Sequence, residues 1–318
     1  MKFLIYATLS SVVASAFADG LAVTGHTAHF RSISDHAKGE TEPCDVVIVD
    51  GLRENGAQVL ADFAKRGIPV VVADLGYVDR ATGPTDIEGH WQLSVGGLNR
   101  LPSIDCPPDR LAKLGVIPGI PRADGTVTII AGQHVGDVSH PFKTAEEVAV
   151  WAEQMAEKID GEVVFRPHPR SPHVRPNLPI DDLPLAESLA RAKAVVAYTS
   201  NIGNDALLAG VQPIANGPAI WADVALDARD AYFAKLAYAQ WTLAEIASGD
   251  AVRFLVDHAL PGEPFDAADD AAATQAGGKL SVVDLRARLT ALKIEFPATA
   301  KKAELAELLE RALTKPEA

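Results

Sequence analysis

The sequence predicts an α/β protein of two open-sheet halves followed by a small helical tail. Three observations carry this prediction. The near-continuous β-branched runs Val46-Val47-Ile48-Val49 and Val70-Val71-Val72 read as parallel strands covered on both faces. Helical periodicity alternates with strand signals in two blocks, separated by a Pro-rich passage from Pro102 to Pro121. From Pro261 to Gly278 the chain is Ala-, Asp- and Gly-rich with four acids and no base, as in a flexible linker, and Leu-bearing helical patterns follow.

In order, the first block reads as a strand over 3–7, a helix over about 11–24 capped by Ser10 or Ser11, strands over 27–32 and 45–50, a helix over about 57–65 and a strand over 70–73. Lys2, the apolar run 3–17 and Ala16-Phe17-Ala18 before Asp19 also imitate a secretory leader. The strand reading is preferred, because cleavage would delete the opening strand of the sheet. The pattern restarts near residues 122–125 with a strand at Val127-Thr128-Ile129-Ile130. Helix 145–159, strand 162–166, helix 185–192, strand 194–198, helix 204–209 and strand 212–215 follow. The expected boundaries are a first Rossmann-like half over 1–123, a second over 124–260, a linker over 261–278 and a helical module over 279–318.

With 318 residues and 48% hydrophobic content, the chain can bury a substantial core. The net charge of −13 argues against a whole surface devoted to nucleic acid. Residues 279–318 differ, with eight Lys and Arg against six Asp and Glu, a local balance of +2. Outside the opening segment, nothing is long and apolar enough for a transmembrane helix, so no membrane partner is expected. Cys44 and Cys106 lack metal-ligand spacing and read as free thiols of a reducing compartment or as one disulfide, which suits a cytoplasmic protein.

The chemistry concentrates at strand ends. Arg166-Pro167-His168-Pro169-Arg170 closes one strand, and the proline after His168 biases it to an extended conformation that projects it from the sheet edge. A bound phosphate would meet up to three donors from Arg166, His168 and Arg170; the same residues also suit a solvated basic turn. Thr199, Ser200 and Asn201 sit where a strand gives way to a helix, a place that favours anions and equally suits an ordinary cap. Gln133 and Asp137, in a glycine-bearing loop, are candidates to line the cleft beneath a donor sugar. Asp74, with Tyr77 close by, ends a buried strand and suits a general base toward an acceptor hydroxyl; a strand-end Asp also serves as a turn residue. No carboxylate pair with metal-ligand character stands out, so neither metal nor cofactor is expected.

At these residues the chain resembles glycosyltransferases of the two-Rossmann-domain (GT-B) architecture, in particular capsule-polysaccharide Kdo transferases and bacterial sialyltransferases. Asp74-Leu75-Gly76-Tyr77 with Arg80 and then Gly97-Leu98-Asn99 resembles their acid-x-Gly pattern; His168-Pro169 matches the His-Pro element and Thr199-Ser200 the Ser/Thr element. Asp74 stands where the capsule enzymes typically carry Glu. The resemblance covers about residues 1–258 and implies Asp74 as base, with His168 and Ser200 contacting the phosphate of a nucleotide-sugar donor. Residues 279–314 are similar to SAP or HeH modules, in Leu280-Ser281-Val282-Val283-Asp284-Leu285-Arg286 and in the stretch from Pro297 to Leu305. That similarity implies DNA binding through Arg286, Arg288, Lys301 and Lys302.

Together these features predict a phage-type enzyme that transfers a sugar to a hydroxylated base in DNA. A transferase acting on a surface polysaccharide and a non-catalytic phage binding protein of the same fold are the alternatives.

Overall fold

The computed structural model describes residues 1–38, 42–53, 55–122 and 124–261, together with 297, 300, 301 and 304. It divides into two compact units, Met1–Phe265 and Asp266–Ala318.

The first unit holds two sheets. In the first, β1 (Lys2–Ala7) lies between β2 (Thr27–Ser32) and β3 (Val46–Asp50), with β4 (Val70–Leu75) beyond, all parallel. Because β1 is paired on both edges and covered on both faces, residues 3–7 are all buried. Phe3, Ile5 and Ala7 face Phe17 and Leu21 of α1 (Val12–Val23), while Leu4 and Tyr6 join Val59 and Phe63 of α2 (Gly56–Lys65) on the other side. Ser11 caps α1, its hydroxyl accepting from the Ala14 N–H at 3.0 Å. The leader-like segment thus forms an interior strand of this sheet and the first helix packed on it.

Antiparallel to β4 runs β5 (Trp91–Val95), a strand the sequence did not announce. Its inward Gln92 and Ser94 read as polar surface, yet both are buried and satisfied: Gln92 Oε1 accepts from Tyr77 Oη, Ser94 Oγ and the Asn99 N–H. A short helix, α3 (Asp109–Lys113), follows within the Pro-rich passage.

The second sheet is parallel throughout, in the order β7 (Glu162–Arg166), β6 (Val127–Ala131), β8 (Ala192–Ala197), β9 (Gln212–Ala215). On one face, α4 (Ala145–Ala156) starts at a Thr144/Glu147 capping box and sets Val148 and Trp151 against Ile130 and Phe165. On the other, α5 (Leu185–Arg191), α6 (Ile202–Leu208) and α7 (Arg229–Tyr238) bury Leu189, Leu207, Phe233 and Leu236 against Ile129 and Val195.

After α7 the chain departs from the expected boundary at residue 260. It returns to the first sheet at residue 240, where β10 (Gln240–Trp241) pairs antiparallel with β5, and α8 (Leu243–Ala247) and α9 (Asp250–Phe254) cover α1. Gly20 permits this approach, since a Cβ there would lie 2.0 Å from the Ile246 carbonyl oxygen. Burial of Ile246, Val252 and Phe254 contributes roughly 1.5–3 kcal/mol each. The return is an apolar return, with no periodicity long enough to advertise it: α8 and α9 have five residues each.

Arg110 of α3 fixes the crossing. Its guanidinium donates to the Ala237 and Gln240 carbonyls and to both oxygens of Glu245 at 2.8 and 3.1 Å, and lies 3.6 Å over the Trp241 ring. Both cysteines are free thiols. No helix among the described residues is long and apolar enough to cross a membrane.

In the second unit, the Ala300 N–H donates to the Pro297 carbonyl and the Lys301 N–H to Glu304 Oε2, both at 2.9 Å. Arg286, Arg288, Lys302 and the linker expected over 261–278, apart from Pro261, lie outside the described residues.

Arg110 is buried and Glu245 half-buried, so removal of the guanidinium leaves a partly desolvated charge and buried carbonyls without their donor. Arg110→Ala is therefore expected to lower stability by about 2–3 kcal/mol in urea denaturation, because Glu245 and two carbonyls lose their donor together.

Candidate active site

Both sheets turn the carboxyl ends of their parallel strands toward one cavity of about 620 Å³. In each sheet the strand order reverses there, between β1 and β3 and between β6 and β8, which opens a crevice beside the strand ends. Thr8, Asp50 and Asp74 with Tyr77 and Arg80 line it from the first sheet. From the second come Gln133, His134, Asp137 to His140, His168, Arg170 and Thr199 to Asn201.

The first wall is acidic. Asp74 Oδ1 accepts from the Leu75 N–H at 2.7 Å. Burial raises the Asp74 pKa, with Asp137 and Asp50 adding to the rise and the Leu75 N–H and Arg53 opposing it. Asp50 is raised as well, by burial against the opposing hydrogen bond from Ser11. A carboxyl that holds its proton more tightly than usual is a better base once ionised. Sequence reasoning missed Asp50, although it ends its strand just as Asp74 does.

The second wall carries imidazoles. The Arg170 N–H donates to Nδ1 of His168 at 3.1 Å, so Nδ1 is an acceptor and the ring proton sits on Nε2. His168 stacks on His134 with centroids 5.5 Å apart. Burial, with His134, Arg80 and Arg170 nearby, pushes its pKa down to about 4. The His-Pro element, which the sequence suggested as a cationic feature, therefore presents a neutral donor at neutral pH. His140 is also held low by burial; its Nε2 donates to the His134 carbonyl at 2.8 Å.

The remaining sequence candidates separate into those exposed to the cavity and those engaged elsewhere. Arg166 does not line it: Nη1 is bound to Asp181, the Leu183 carbonyl and Ser188, because alternation turns it toward α5. Arg170 lines the cavity while donating to the Thr82 carbonyl of the opposite wall at 2.8 Å. Asn201 spends its amide on the Tyr77 carbonyl and on Asn204, and the Tyr77 hydroxyl turns inward to Gln92. Gln133 is buried, donating to the Ala131 carbonyl.

Asp137 accepts from the Ser139 N–H and hydroxyl and faces Arg53 at 3.8 Å. Burial works to raise its pKa, but those hydrogen bonds with His140 and Arg53 hold it below the usual range. Since the Ser139 hydroxyl proton goes to Asp137, Thr199 Oγ1 is the donor in its 3.2 Å contact with Ser139. Ser200 reaches the cavity, its carbonyl fixed by Trp221 Nε1 at 3.1 Å. Gly203 makes room for that indole, since a Cβ there would fall 2.1 Å from it. Among the described residues, no three His, Cys, Asp or Glu side chains gather closely enough to hold a metal ion.

Residues 279–311 match the HeH/LEM domain. No curated protein matches the chain. Among solved structures, it is similar to Thermosulfurimonas dismutans KpsC, beta Kdo 2,4 transferase, at 12% identity over 77% of this chain and 89% of that one, with a TM-score of 0.46. It is also similar to Thermosulfurimonas dismutans KpsC, beta Kdo 2,7 transferase, at 16% identity over 70% and 80%, with a TM-score of 0.43. A Methanocaldococcus jannaschii UDP-GlcNAc 2-epimerase in complex with UDP-GlcNAc and UDP has 12% identity over 81% of this chain and 100% of that one, with a TM-score of 0.27.

The depressed His168 pKa sets a pH dependence. Unfolded histidine takes up a proton near pH 6.5, while folded His168 does so near pH 4. Stability is therefore lost as pH falls through that window and is unaffected above it. His168→Gln is expected to flatten the acid limb of thermal stability between about pH 6.5 and 4 relative to the parent chain, as read by calorimetry.

Proposed function

We propose that this chain is a GT-B-type glycosyltransferase that moves a sugar from a nucleotide sugar to a hydroxyl, and that the acceptor is a hydroxylated base in phage DNA. One observation carries the reading: a partly buried carboxylate at a strand end, Asp74, shares one cavity with a neutral Nε2–H donor, His168, at the strand end of the other sheet. Base and anion donor on facing walls are what transfer between two bound substrates requires.

In this mechanism the acceptor oxygen attacks the anomeric carbon of the donor while Asp74 takes the hydroxyl proton. The bond from that carbon to the phosphate oxygen breaks, and its electron pair leaves on the nucleotide phosphate. His168 and Ser200 stabilise that charge with protein donors, and the donor nucleotide is the only co-substrate. The HeH/LEM match at residues 279–311 supports DNA as acceptor. Arg286, Arg288, Lys301 and Lys302 would meet backbone phosphates, and covalent attachment of that module would raise the local acceptor concentration. Action on host-cytoplasmic DNA follows from this reading.

The test is incubation of the chain with a panel of nucleotide sugars and hydroxymethylated DNA, then digestion to nucleosides and mass spectrometry. A base heavier by one sugar is expected. Asp74→Asn should lower turnover by about 10²–10⁴-fold with little change in nucleotide affinity. Turnover that rises with pH through a pKa above the usual carboxylate range should vanish in that variant. Undiminished turnover by Asp74→Asn would remove Asp74 as the base, and sugar found only on an added polysaccharide would remove DNA as the acceptor.

A further inference from the structure

Charge accounting in the cavity singles out a residue that neither the phosphate-site expectation nor the mechanism above uses. Among the described residues, three arginines line the cavity: Arg53, Arg80 and Arg170. Arg53 faces Asp137, and Arg170 donates to the Thr82 carbonyl. Arg80 is exposed, and among the described residues its guanidinium has no hydrogen-bond or ion-pair partner. Its charge is nevertheless felt across the cavity at His168, and at Asp205 of α6. Arg166, the cation first expected beside His168, is consumed by Asp181.

We propose that Arg80 and the Nε2–H of His168, one from each wall, form a subsite for the phosphate of a nucleotide, an assignment that rests on the glycosyltransferase reading. A planar fork with five donors suits phosphate oxygens, and it is already free, so no internal ion pair is broken on binding. His168 adds a directed donor without adding a second fixed charge. Because Arg80 belongs to the first sheet, the subsite is complete only while both walls face one another. The phosphate then bridges the halves, and the developing negative charge of the leaving group meets a cation from the acceptor side. Arg80 stands five residues beyond the end of β4, so the strand that positions Asp74 also delivers the cation.

The test titrates the full chain with inorganic pyrophosphate at neutral pH and low salt, by calorimetry. Saturable binding is expected, weakened about tenfold by Arg80→Ala and partly restored by Arg80→Lys, which keeps the charge but loses the fork. Lys65→Ala, on the outer surface of α2, should leave the affinity unchanged. The Arg80 effect should shrink at high salt. UDP or CMP should displace pyrophosphate, while a short DNA duplex should not. Absence of saturable binding, equal affinity in Arg80→Ala, displacement by neither nucleotide, or displacement by the duplex would each overturn the assignment. Because the readout is anion affinity, it is separable from the proposed reaction. A chain that transfers no sugar but loses pyrophosphate with Arg80→Ala keeps the subsite. One that transfers sugar yet holds pyrophosphate equally well without Arg80 keeps only the reaction.

Discussion

The geometry of the cavity depends on one short piece of backbone, Tyr77-Val78, gripped from two directions. The fully buried Gln240 side chain accepts from both of its N–H groups, at 2.8 and 2.9 Å, and donates to the Val78 carbonyl at 2.9 Å. From the second sheet, Asn201 donates to the Tyr77 carbonyl at 2.7 Å. Away from water these bonds are expensive to leave unmade, so the chain leaving β4 has essentially one course. Asp74 lies just before the clamp and Arg80 just after it. A carboxylate and a cation are thereby set on one wall by the same four hydrogen bonds.

The clamp requires the chain to return. Gln240 reaches Tyr77 only because the segment after α7 adds a strand beside β5, and Arg110 holds that return by bridging the Ala237 and Gln240 carbonyls with Glu245. Burial opposes ionisation of Glu245, but the Arg110 guanidinium keeps its carboxyl below the usual range. The two halves are consequently not independent modules joined by a tether. Asn201 is steadied in turn by Asn204, whose oxygen accepts from Tyr232, so the clamp continues into the second core. Loss of any link exposes an unsatisfied buried group in the next.

Much of the fold was legible in the sequence because parallel strands buried on both faces leave a continuous β-branched trace, as at Val46–Val49 and Val70–Val72. The strand ends followed, and with them Asp74, His168, Thr199 and Ser200 at the cavity. What escaped had a physical reason in each case. Gln92 and Ser94 hide a strand behind polar letters because their partners are internal. The helices after residue 240 are too short to show a period. Arg166 carries the right chemistry on the right segment, yet side-chain direction, which the motif does not encode, turns it to Asp181, and Asn201, though it lines the cavity, has its amide engaged by Tyr77 and Asn204. Arg80 lines the cavity instead, and its lack of a partner is visible only in three dimensions.

The central claim is that the facing carboxyl ends of the two sheets hold a nucleotide between them. Hydrogen–deuterium exchange of the full chain, with and without UDP or CMP, tests it most directly. Slowed exchange is expected together in three peptides, those spanning 79–84, 168–171 and 199–204, since one ligand would touch both walls. Protection limited to one wall, or found only away from the cavity, would contradict the account.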